Sequence, residues 1–256
     1  MANGWSLGLD VGSSATKAVL LQGDQVRARS VRKSGADFAA AAKACLDEVA
    51  DLAGISAADI RRVVTTGYGR RSVDFADDAV TEITCHARGC HAGFGRAVTV
   101  VDIGGQDNKV IVLTDRGDRR SFKMNRKCAA GTGAFLEEIA QRLDTPLSEL
   151  NDTARQATGD VELGSFCTVF AKTELLRLIA RGTSTPDIVK AAFRSVVKRI
   201  LEMDPLSGEV VMTGGVVAHN PTIVELVSQA LGREVLVPEY AQYTGALGAA
   251  LIARGM

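Results

Sequence analysis

Apolar residues along this chain fall into short continuous runs that alternate with stretches of helical spacing. The runs predict strands in both halves: WSLGLDV, KAVLLQ and RRVVTT in the first, AVTVVDIG, NKVIVLT and RRSFKM in the second. Helices are predicted near 36–53 and 84–93, and a run of helices follows RRSFKM. Strands that alternate with helices are typical of an α/β protein.

The two halves share one strand–turn–strand motif. LDVGSSATKAVLL (9–21) aligns with VDIGGQDNKVIVL (101–113), and in each half an aspartate precedes its lysine by seven residues. The matched residues are Asp10 with Asp102, Gly12 with Gly104, Lys17 with Lys109 and Leu21 with Leu113. Chance similarity between two hairpins is the alternative, because glycine is common between β-rich runs. The match favours a duplicated domain with a cleft between its halves.

Each matched turn has the composition of a phosphate-binding loop. An apolar strand ends in aspartate, and the following glycine permits a tight reversal with outward-facing N–H groups. In the first turn these N–H groups, with Ser13, Ser14 and Thr16, can hold phosphate oxygens. Asp10 can hold the water shell of a magnesium ion. Two facing turns would grip a triphosphate from both sides.

A third glycine signal lies in EVVMTGGVVAHN (209–220). Gly214 and Gly215 end an apolar strand there, and adjacent glycines let the backbone approach a flat adenine or ribose closely. The next helix is predicted to be capped near Asn220, with Pro221 at its first position.

A cysteine stands directly before a glycine-punctuated turn and a predicted helix in MNRKCAAGTGAFLEEIA (124–140). Three roles compete for this residue, Cys128: nucleophile, metal ligand and small apolar core residue. A nucleophile needs a positioned base, and the three histidines, at positions 86, 91 and 219, show no arrangement that offers one.

Together these segments resemble the nucleotide site of the actin, sugar kinase and heat-shock chaperone superfamily: phosphate loop 1, phosphate loop 2 and the adenosine loop. KCAAGTG (127–133) and CTVFAKTELLRLIARG (167–182) are similar to the cluster segments of the ATP-dependent activators of 2-hydroxyacyl-CoA dehydratases. The ATP-binding subunits of benzoyl-CoA reductases are close relatives of these activators. The segments TTGYGR (65–70), EITCHARG (82–89) and AQYTGALGAAL (241–251) extend the resemblance over nearly the whole chain.

The resemblance implies a duplicated ribonuclease-H-like fold of the actin-like ATPase type. Residues 1–94 would form one subdomain with phosphate loop 1, joined by a C-terminal helix at 243–255. Residues 95–242 would form the second, with phosphate loop 2, the adenosine loop and a helical cluster-binding insert at about 125–205.

The resemblance also implies roles in ATP binding and hydrolysis. Asp10 and Asp102 would organise magnesium and the attacking water, and Gln106 would orient that water. The residues expected to contact ATP or ADP are Gly12, Ser13, Ser14, Thr16, Lys17, Gly104, Gly105, Gly214, Gly215, Asn220 and Gln242.

Members of the family are homodimers that hold one 4Fe-4S cluster at the subunit interface, and the implied ligands here are Cys128 and Cys167. Such a cluster usually takes four thiolates, and a twofold axis would supply the second pair. The helices that follow Gly133 and Cys167 would direct their positive ends at the cluster. ATP hydrolysis would then drive one electron into a CoA-ester dehydratase or reductase. A ferredoxin or flavodoxin is the expected electron donor.

Two positions depart from the family pattern. Many members carry an acid where Arg126 and Lys172 stand. Two added positive charges near the cluster would raise its reduction potential or reshape the docking surface.

The remaining cysteines have simpler interpretations. CHARGCH (85–91) imitates a zinc site, but a spacing of five on a helix spreads the two Cys-His pairs by about 140° around the axis. Cys85 and His86 belong to the family's helix, whereas Cys90 is incidental. Cys45 lies at helical spacing in AAKACLDEVA and is predicted to be a core residue.

Composition narrows the classes of partner. Thirty basic and thirty acidic residues leave no net charge, which predicts no binding to nucleic acid or to an anionic membrane. Apolar runs such as ALGAALIA fall short of the roughly 20 residues that span a bilayer. The N-terminal sequence lacks a secretory pattern, so a cytoplasmic location is expected. Two rivals remain open: a small-molecule kinase of the same fold, and a nucleotide-gated binding module without redox chemistry.

Overall fold

The computed structural model of the chain describes residues 4–125, 128–164 and 168–255. The described residues divide into two compact units. The first falls within Met1–Val100, Ile111–Ser121 and Pro238–Met256, and the second within Val101–Val110 and Phe122–Val237. Among these residues, no helix combines the length and apolarity needed to cross a membrane.

The strands form two sheets. The first has the order β3-β2-β1-β4-β5, and the second has the order β8-β7-β6-β9. Their bounds are β1 Trp5–Val11, β2 Ala15–Gln22, β3 Gln25–Lys33, β4 Ile60–Thr66, β5 Asp78–Ala79, β6 Thr99–Ile103, β7 Asn108–Leu113, β8 Arg119–Asn125 and β9 Val210–Thr213. In the first sheet β2 runs antiparallel to both β1 and β3. Strand β4 runs parallel to β1, and β5 runs parallel to β4. The predicted strands are confirmed, and β3 and β5 were missed.

The helices were predicted mainly from apolar spacing, whereas capping residues set where α1 and α2 begin. Their bounds are α1 Phe38–Ala53, α2 Glu82–Phe94, α3 Gly133–Arg142, α4 Leu150–Arg155, α5 Thr168–Ala180, α6 Thr185–Met203, α7 Gly215–His219, α8 Pro221–Leu231 and α9 Thr244–Ala253. The side chain of Asp37 accepts from Ala40 N–H, so α1 begins later than predicted. Thr81 caps α2 in the same way and makes it begin earlier than predicted.

The core of the first unit lies around the central strand β1. Leu7 and Leu9 are buried with Val49 and Cys45 of α1, which confirms Cys45 as a core residue. On the opposite face Gly8 meets the backbone of α9, where a β-carbon would collide with Ala246 O. The glycines and alanines of α9 allow its backbone to lie directly against this strand.

The core of the second unit lies around α6. Phe193 of this helix is fully buried, and buried residues of α3, α4, α8, β6 and β9 surround it. Ser184 caps α6 by accepting from Asp187 N–H. This core positions the turn between β6 and β7 and the start of α3, which carry much of the candidate site.

Candidate nucleotide and cluster site

The first hairpin places Asp10 opposite Lys17, and their Cα atoms are partners in the β1–β2 register. Lys17 Nζ lies 3.3 Å from Asp10 Oδ2. The turn is closed by Gly12 N–H, which donates to Ala15 O at 3.1 Å. Ser34 Oγ donates to Gly12 O at 2.6 Å and fastens the turn from β3's end.

The second hairpin repeats this arrangement with different burial. Lys109 Nζ lies 3.0 Å from Asp102 Oδ2 and 2.7 Å from Asp107 Oδ1. Gly104 N–H donates to Asp107 O at 2.9 Å and closes the turn between β6 and β7. The predicted repeat of aspartate, glycine and lysine is thus present in the hydrogen bonds of both turns.

A glycine beside each aspartate extends the repeat beyond the aligned segments. Gly67 follows β4 with φ of 87°, and a β-carbon there would lie 2.5 Å from Asp10 Oδ1. Gly214 follows β9 with φ of 100°, and a β-carbon there would lie 2.7 Å from Asp102 Oδ1. Only glycine fits both the backbone conformation and the space. The sequence analysis missed Gly67, although the TG pair at 66–67 recurs at 213–214.

Several residues predicted to contact the nucleotide make other hydrogen bonds in the structure. The Gly12 and Gly104 N–H groups close their own turns rather than pointing outward. Thr16 is fully buried, and its hydroxyl pairs with Ser34 Oγ at 2.9 Å, so it supports the turn from within. The expected adenosine contact of Gly214 stays a prediction, and a β-carbon added to this residue would lie 2.7 Å from Asp102 Oδ1. Gln106 is exposed, whereas Ser13, Ser14 and Gly105 are partly exposed.

The remaining residues of the predicted adenosine region fall on two elements. Gly215 begins α7, a short helix that the sequence analysis missed. Asn220 takes the N-cap position of α8 as predicted, but its amide donates to Val216 O at 2.8 Å instead of capping. Gln242 lies in a 3-10 turn, Ala241–Tyr243, that leads into α9.

Cys128 is a half-buried free thiol shortly before α3. Asn125 Nδ2 donates to Cys128 O at 3.2 Å. Cys167 and Arg126 lie outside the described residues, and α5 begins directly after Cys167. No group of three or more metal-ligating side chains occurs within the described ranges. The predicted cluster ligands Cys128 and Cys167 therefore stay a prediction.

The cysteines of α2 are in a different environment. Cys85 and Cys90 are both fully buried. Burial raises the pKa of the Cys85 thiol to about 12. Since metals bind the thiolate, this environment disfavours Cys85 as a ligand.

The start of α3 is hydrogen-bonded to phosphate loop 2. Gly133 N–H donates to Gly104 O at 2.9 Å, and Ala134 N–H donates to Gly105 O at 2.7 Å. The next two N–H groups of the helix donate to Thr132 O. The first two N–H groups of the helix thus bind this loop, and the orientation of the helix end toward a cluster stays a prediction. The helix after Cys128 is therefore fastened to the turn that follows Asp102.

An ion pair joins the two helices that follow the cysteines. Lys172 Nζ of α5 lies 3.1 Å from Glu138 Oε1 of α3. Arg142 donates to the same oxygen at 2.7 Å, and the Arg142 and Lys172 hydrogen bonds lower the pKa of Glu138. One carboxylate thus serves two cations, so Glu138 offsets only part of the positive charge of Arg142 and Lys172.

Comparisons with known proteins agree with this geometry. An activator of lactoyl-CoA dehydratase from Anaerotignum propionicum is 42% identical over 253 residues, which are 97% of each chain. The structure of (R)-2-hydroxyglutaryl-CoA dehydratase component A from Acidaminococcus fermentans matches with a TM-score of 0.92 and 39% identity, over 98% of this chain and 97% of that one. The structure of the activator of 2-hydroxyisocaproyl-CoA dehydratase from Clostridium difficile with bound ADPNP matches with a TM-score of 0.91 and 38% identity, over 97% and 94%.

These matches confirm the predicted α/β fold of the actin-like ATPase type. The family model described as the BadF/BadG/BcrA/BcrD ATPase family matches residues 7–253. Because that match spans nearly the whole sequence, the chain belongs to the BadF/BadG/BcrA/BcrD ATPase family.

Proposed function

We propose that the chain is an ATP-hydrolysing iron–sulfur activator. It transfers a single low-potential electron to a 2-hydroxyacyl-CoA dehydratase or to a benzoyl-CoA reductase-like partner. Family membership supports the ATPase part, and the names of the similar proteins support a dehydratase as the partner. The electron transfer is our extension from Cys128 and its surroundings.

One observation carries the proposal: Gly133 and Ala134, at the start of the helix after Cys128, donate to the carbonyls of Gly104 and Gly105. A loop that rearranges when phosphate is lost then shifts the carbonyls to which that helix is bonded, and the helix moves with them or loses both hydrogen bonds. Coupling of this kind needs a physical link between two sites that each have two states. A kinase or a simple binding module does not need such a link to a cysteine-bearing segment.

The nucleotide roles follow from the two hairpins. We assign magnesium and the attacking water to Asp10 and Asp102, and the orientation of that water to Gln106. Carboxylate oxygens are the ligands that magnesium prefers, and a lysine beside each carboxylate can neutralise phosphate charge. Since Gly12 N–H and Gly104 N–H close their turns, the following residues, Ser13, Ser14 and Gly105, provide the phosphate contacts. Gly214 and Gly215 remain assigned to adenosine, and Asn220 and Gln242 remain assigned to the nucleotide without a more specific contact.

The cluster roles fall to Cys128 and Cys167, together with the same two residues of a second copy of the chain. When bound, a 4Fe-4S cluster supplies one-electron redox chemistry. The half-buried position of Cys128 gives its thiol both protein support and access to a second protomer. A homodimer, a ferredoxin or flavodoxin as electron donor, and a cytoplasmic location complete the proposal.

Iron analysis tests this function. After anaerobic purification we expect about two irons and two sulfides per chain, since four of each are divided between two protomers. The double variant Cys128→Ser/Cys167→Ser should lose the cluster absorbance and the activation of a dehydratase, yet keep nucleotide binding. Cys90→Ala, which changes another cysteine of the same chain, should keep the iron.

Three outcomes would contradict the proposal. A folded wild-type protein that is colourless and free of iron would favour the kinase or the binding module. Unchanged iron in the double variant would show that other residues hold the metal. Phosphorylation of a small-molecule hydroxyl at the expense of ATP would identify the kinase directly.

A further inference from the structure

A buried amide connects phosphate loop 2 to the loop that carries Cys128. We name residues 128–132 the cysteine loop. Asn108, the first residue of β7, donates from Nδ2 to Gly131 O at 2.9 Å, and Asn108 is only 1% exposed. The sequence analysis gave Asn108 no role, because its partner is 23 residues away along the chain. We propose that Asn108 is a positioning residue that transmits the state of phosphate loop 2 to the cysteine loop.

The position of Asn108 makes it sensitive to the nucleotide loop. Its neighbour Asp107 accepts Gly104 N–H and closes the turn. Its other neighbour, Lys109, reaches the carboxylates of Asp102 and Asp107. Any shift of this turn on exchange of ATP for ADP therefore moves the backbone from which the Asn108 side chain extends.

The cysteine loop is rigid enough to pass such a shift to Cys128. Thr132 donates from both its N–H and its hydroxyl to Ala129 O, at 3.1 and 2.6 Å, which closes a turn over these residues. Thr132 is fully buried. At Gly131 a β-carbon would lie 2.9 Å from the Arg199 side chain, so α6 limits movement on that side. A pull on Gly131 O thus displaces the turn as a unit.

The first hairpin offers an internal comparison. Thr16 is the counterpart of Asn108, since both residues directly precede the lysine of the repeat. Thr16 pairs with Ser34 Oγ, which donates to Gly12 O, so this network returns to its own turn. Asn108 instead reaches outward to the cysteine loop. In the second copy this position therefore adds a side-chain link to the cysteine-bearing segment, beside the backbone bonds from Gly133 and Ala134.

The other polar atom of the Asn108 amide is not satisfied. Its Oδ1 is buried and has no hydrogen-bond partner among the described residues. A buried polar atom without a partner is unfavourable, and an apolar side chain would avoid it. Asn220 carries the same unpartnered oxygen while its Nδ2 donates to Val216 O. The role proposed for Asn108 therefore depends on where its hydrogen bond leads, which is to the cysteine loop.

The inference rests on the proposed function, but its test does not need a cluster. The full chain is prepared without iron, and alkylation of Cys128 by iodoacetamide is followed by peptide mass spectrometry. Rates are compared with and without a saturating non-hydrolysable ATP analogue and magnesium. In the wild type we expect the nucleotide to change the Cys128 rate by about five- to 150-fold, the range typical of coupled sites.

Asn108→Leu and Asn108→Ser should reduce this nucleotide effect toward onefold while both variants still bind the analogue. Asn151→Leu is the matched control. Asn151 is also buried and accepts Thr222 N–H at 3.0 Å, but it joins α4 to α8 away from the cysteine loop. This control should lose comparable stability and keep the full nucleotide effect.

Either of two results would overturn the inference: an unchanged nucleotide effect in folded Asn108 variants, or no nucleotide effect in the wild type. If both Asn108 variants fail to fold, hydrogen exchange of the unmodified chain decides. Amides of Gly131 to Leu136 should exchange at a nucleotide-dependent rate, and equal rates would reject the inference. If the alkylation test fails, the iron measurement can still support the proposed function. If the purified protein contains no iron, the alkylation test can still be interpreted, because it uses the chain without a cluster.

Discussion

Lys109 Nζ lies 3.0 Å from Asp102 Oδ2, and both side chains are almost completely buried. The corresponding pair in the first hairpin, Lys17 and Asp10, is separated by 3.3 Å and is more exposed. The same ion pair therefore occurs twice in different dielectric surroundings. Burial strengthens the attraction but also makes loss of one partner costly.

Lys109→Met should destabilise the chain strongly, because it leaves Asp102 and Asp107 without a compensating charge. Removing one partner of a buried pair typically costs about 3–5 kcal/mol in free energy of unfolding. Lys17→Met should cost less because its pair is more accessible. Urea unfolding monitored by circular dichroism gives the free energy of unfolding of the wild type and of both variants.

The control for Lys109→Met is Lys43→Met, which removes an exposed ion pair to Asp47 on α1. Pairs of this kind contribute about 0.3–0.5 kcal/mol. A Lys109 variant no less stable than the Lys43 variant would show that the buried pair has no special role.

Gly214→Ala should displace the Asp102 carboxylate. The new β-carbon would lie 2.7 Å from Asp102 Oδ1 and would also collide with Ile103 O. We expect a loss of about 1–3 kcal/mol in stability and weaker binding of magnesium and ADP. Isothermal titration calorimetry of the variant measures the nucleotide effect.

Gly232→Ala separates backbone strain from this collision. Gly232 ends α8 with φ of 64°, and nothing lies within 4 Å of its added β-carbon. The Gly232→Ala substitution should lower the free energy of unfolding by about 1–2 kcal/mol, because alanine is strained in the left-handed conformation. Nucleotide binding should be unchanged. Equal nucleotide affinity in the two variants would contradict the role assigned to Gly214.

Local patterns predicted most of the fold. The β1–β2 hairpin could be predicted because apolar runs flank a glycine turn, and the second hairpin because it repeats the first. Strand β3 was missed because it is mostly polar: its inner face offers only Val26, Ala28 and Ser30, and arginines form its exposed face, as is common in an edge strand. Helix α7 was missed because five residues are too few to show a helical period.

The site was predictable only where its contacts are local or repeated. Asp102 and Lys109 face each other across one turn, so their spacing reveals the pair. The approach of Gly67 to Asp10 and the bond from Asn108 to Gly131 depend on tertiary packing and leave no spacing signal. The link from Gly133 to Gly104 uses backbone atoms, and side-chain identity does not report it.

The Cys85 thiol predicts a loss of stability at high pH. Burial, the main cause, raises its pKa from 9.0 to about 12 in the folded chain. The folded state therefore keeps this proton where the unfolded state releases it. This contribution is fully present below pH 9.0 and is lost progressively as pH rises toward about 12.

Unfolding free energies of wild type and Cys85→Ala, measured across this pH range, test the prediction. Between the two pKa values the wild type should lose up to about 1.4 kcal/mol per pH unit more than the variant. Burial also raises the pKa of Cys45, but that residue is present in both proteins, so its effect cancels. Parallel curves for the two proteins would contradict the assignment to Cys85.

The Glu138–Lys172 ion pair should report the relative position of α3 and α5. Both residues are partly exposed, so a double-mutant cycle with Glu138→Gln and Lys172→Met should give a coupling of about 0.2–1 kcal/mol that falls at high salt. Because α3 is bonded to Gly104 and Gly105, a nucleotide that moves this loop should change the coupling. The control is the pair Arg155 and Glu225, which joins α4 and α8 at 2.7 Å. Its coupling should be equally sensitive to salt and indifferent to nucleotide, and the same nucleotide response in both cycles would mean that α3 does not move against α5.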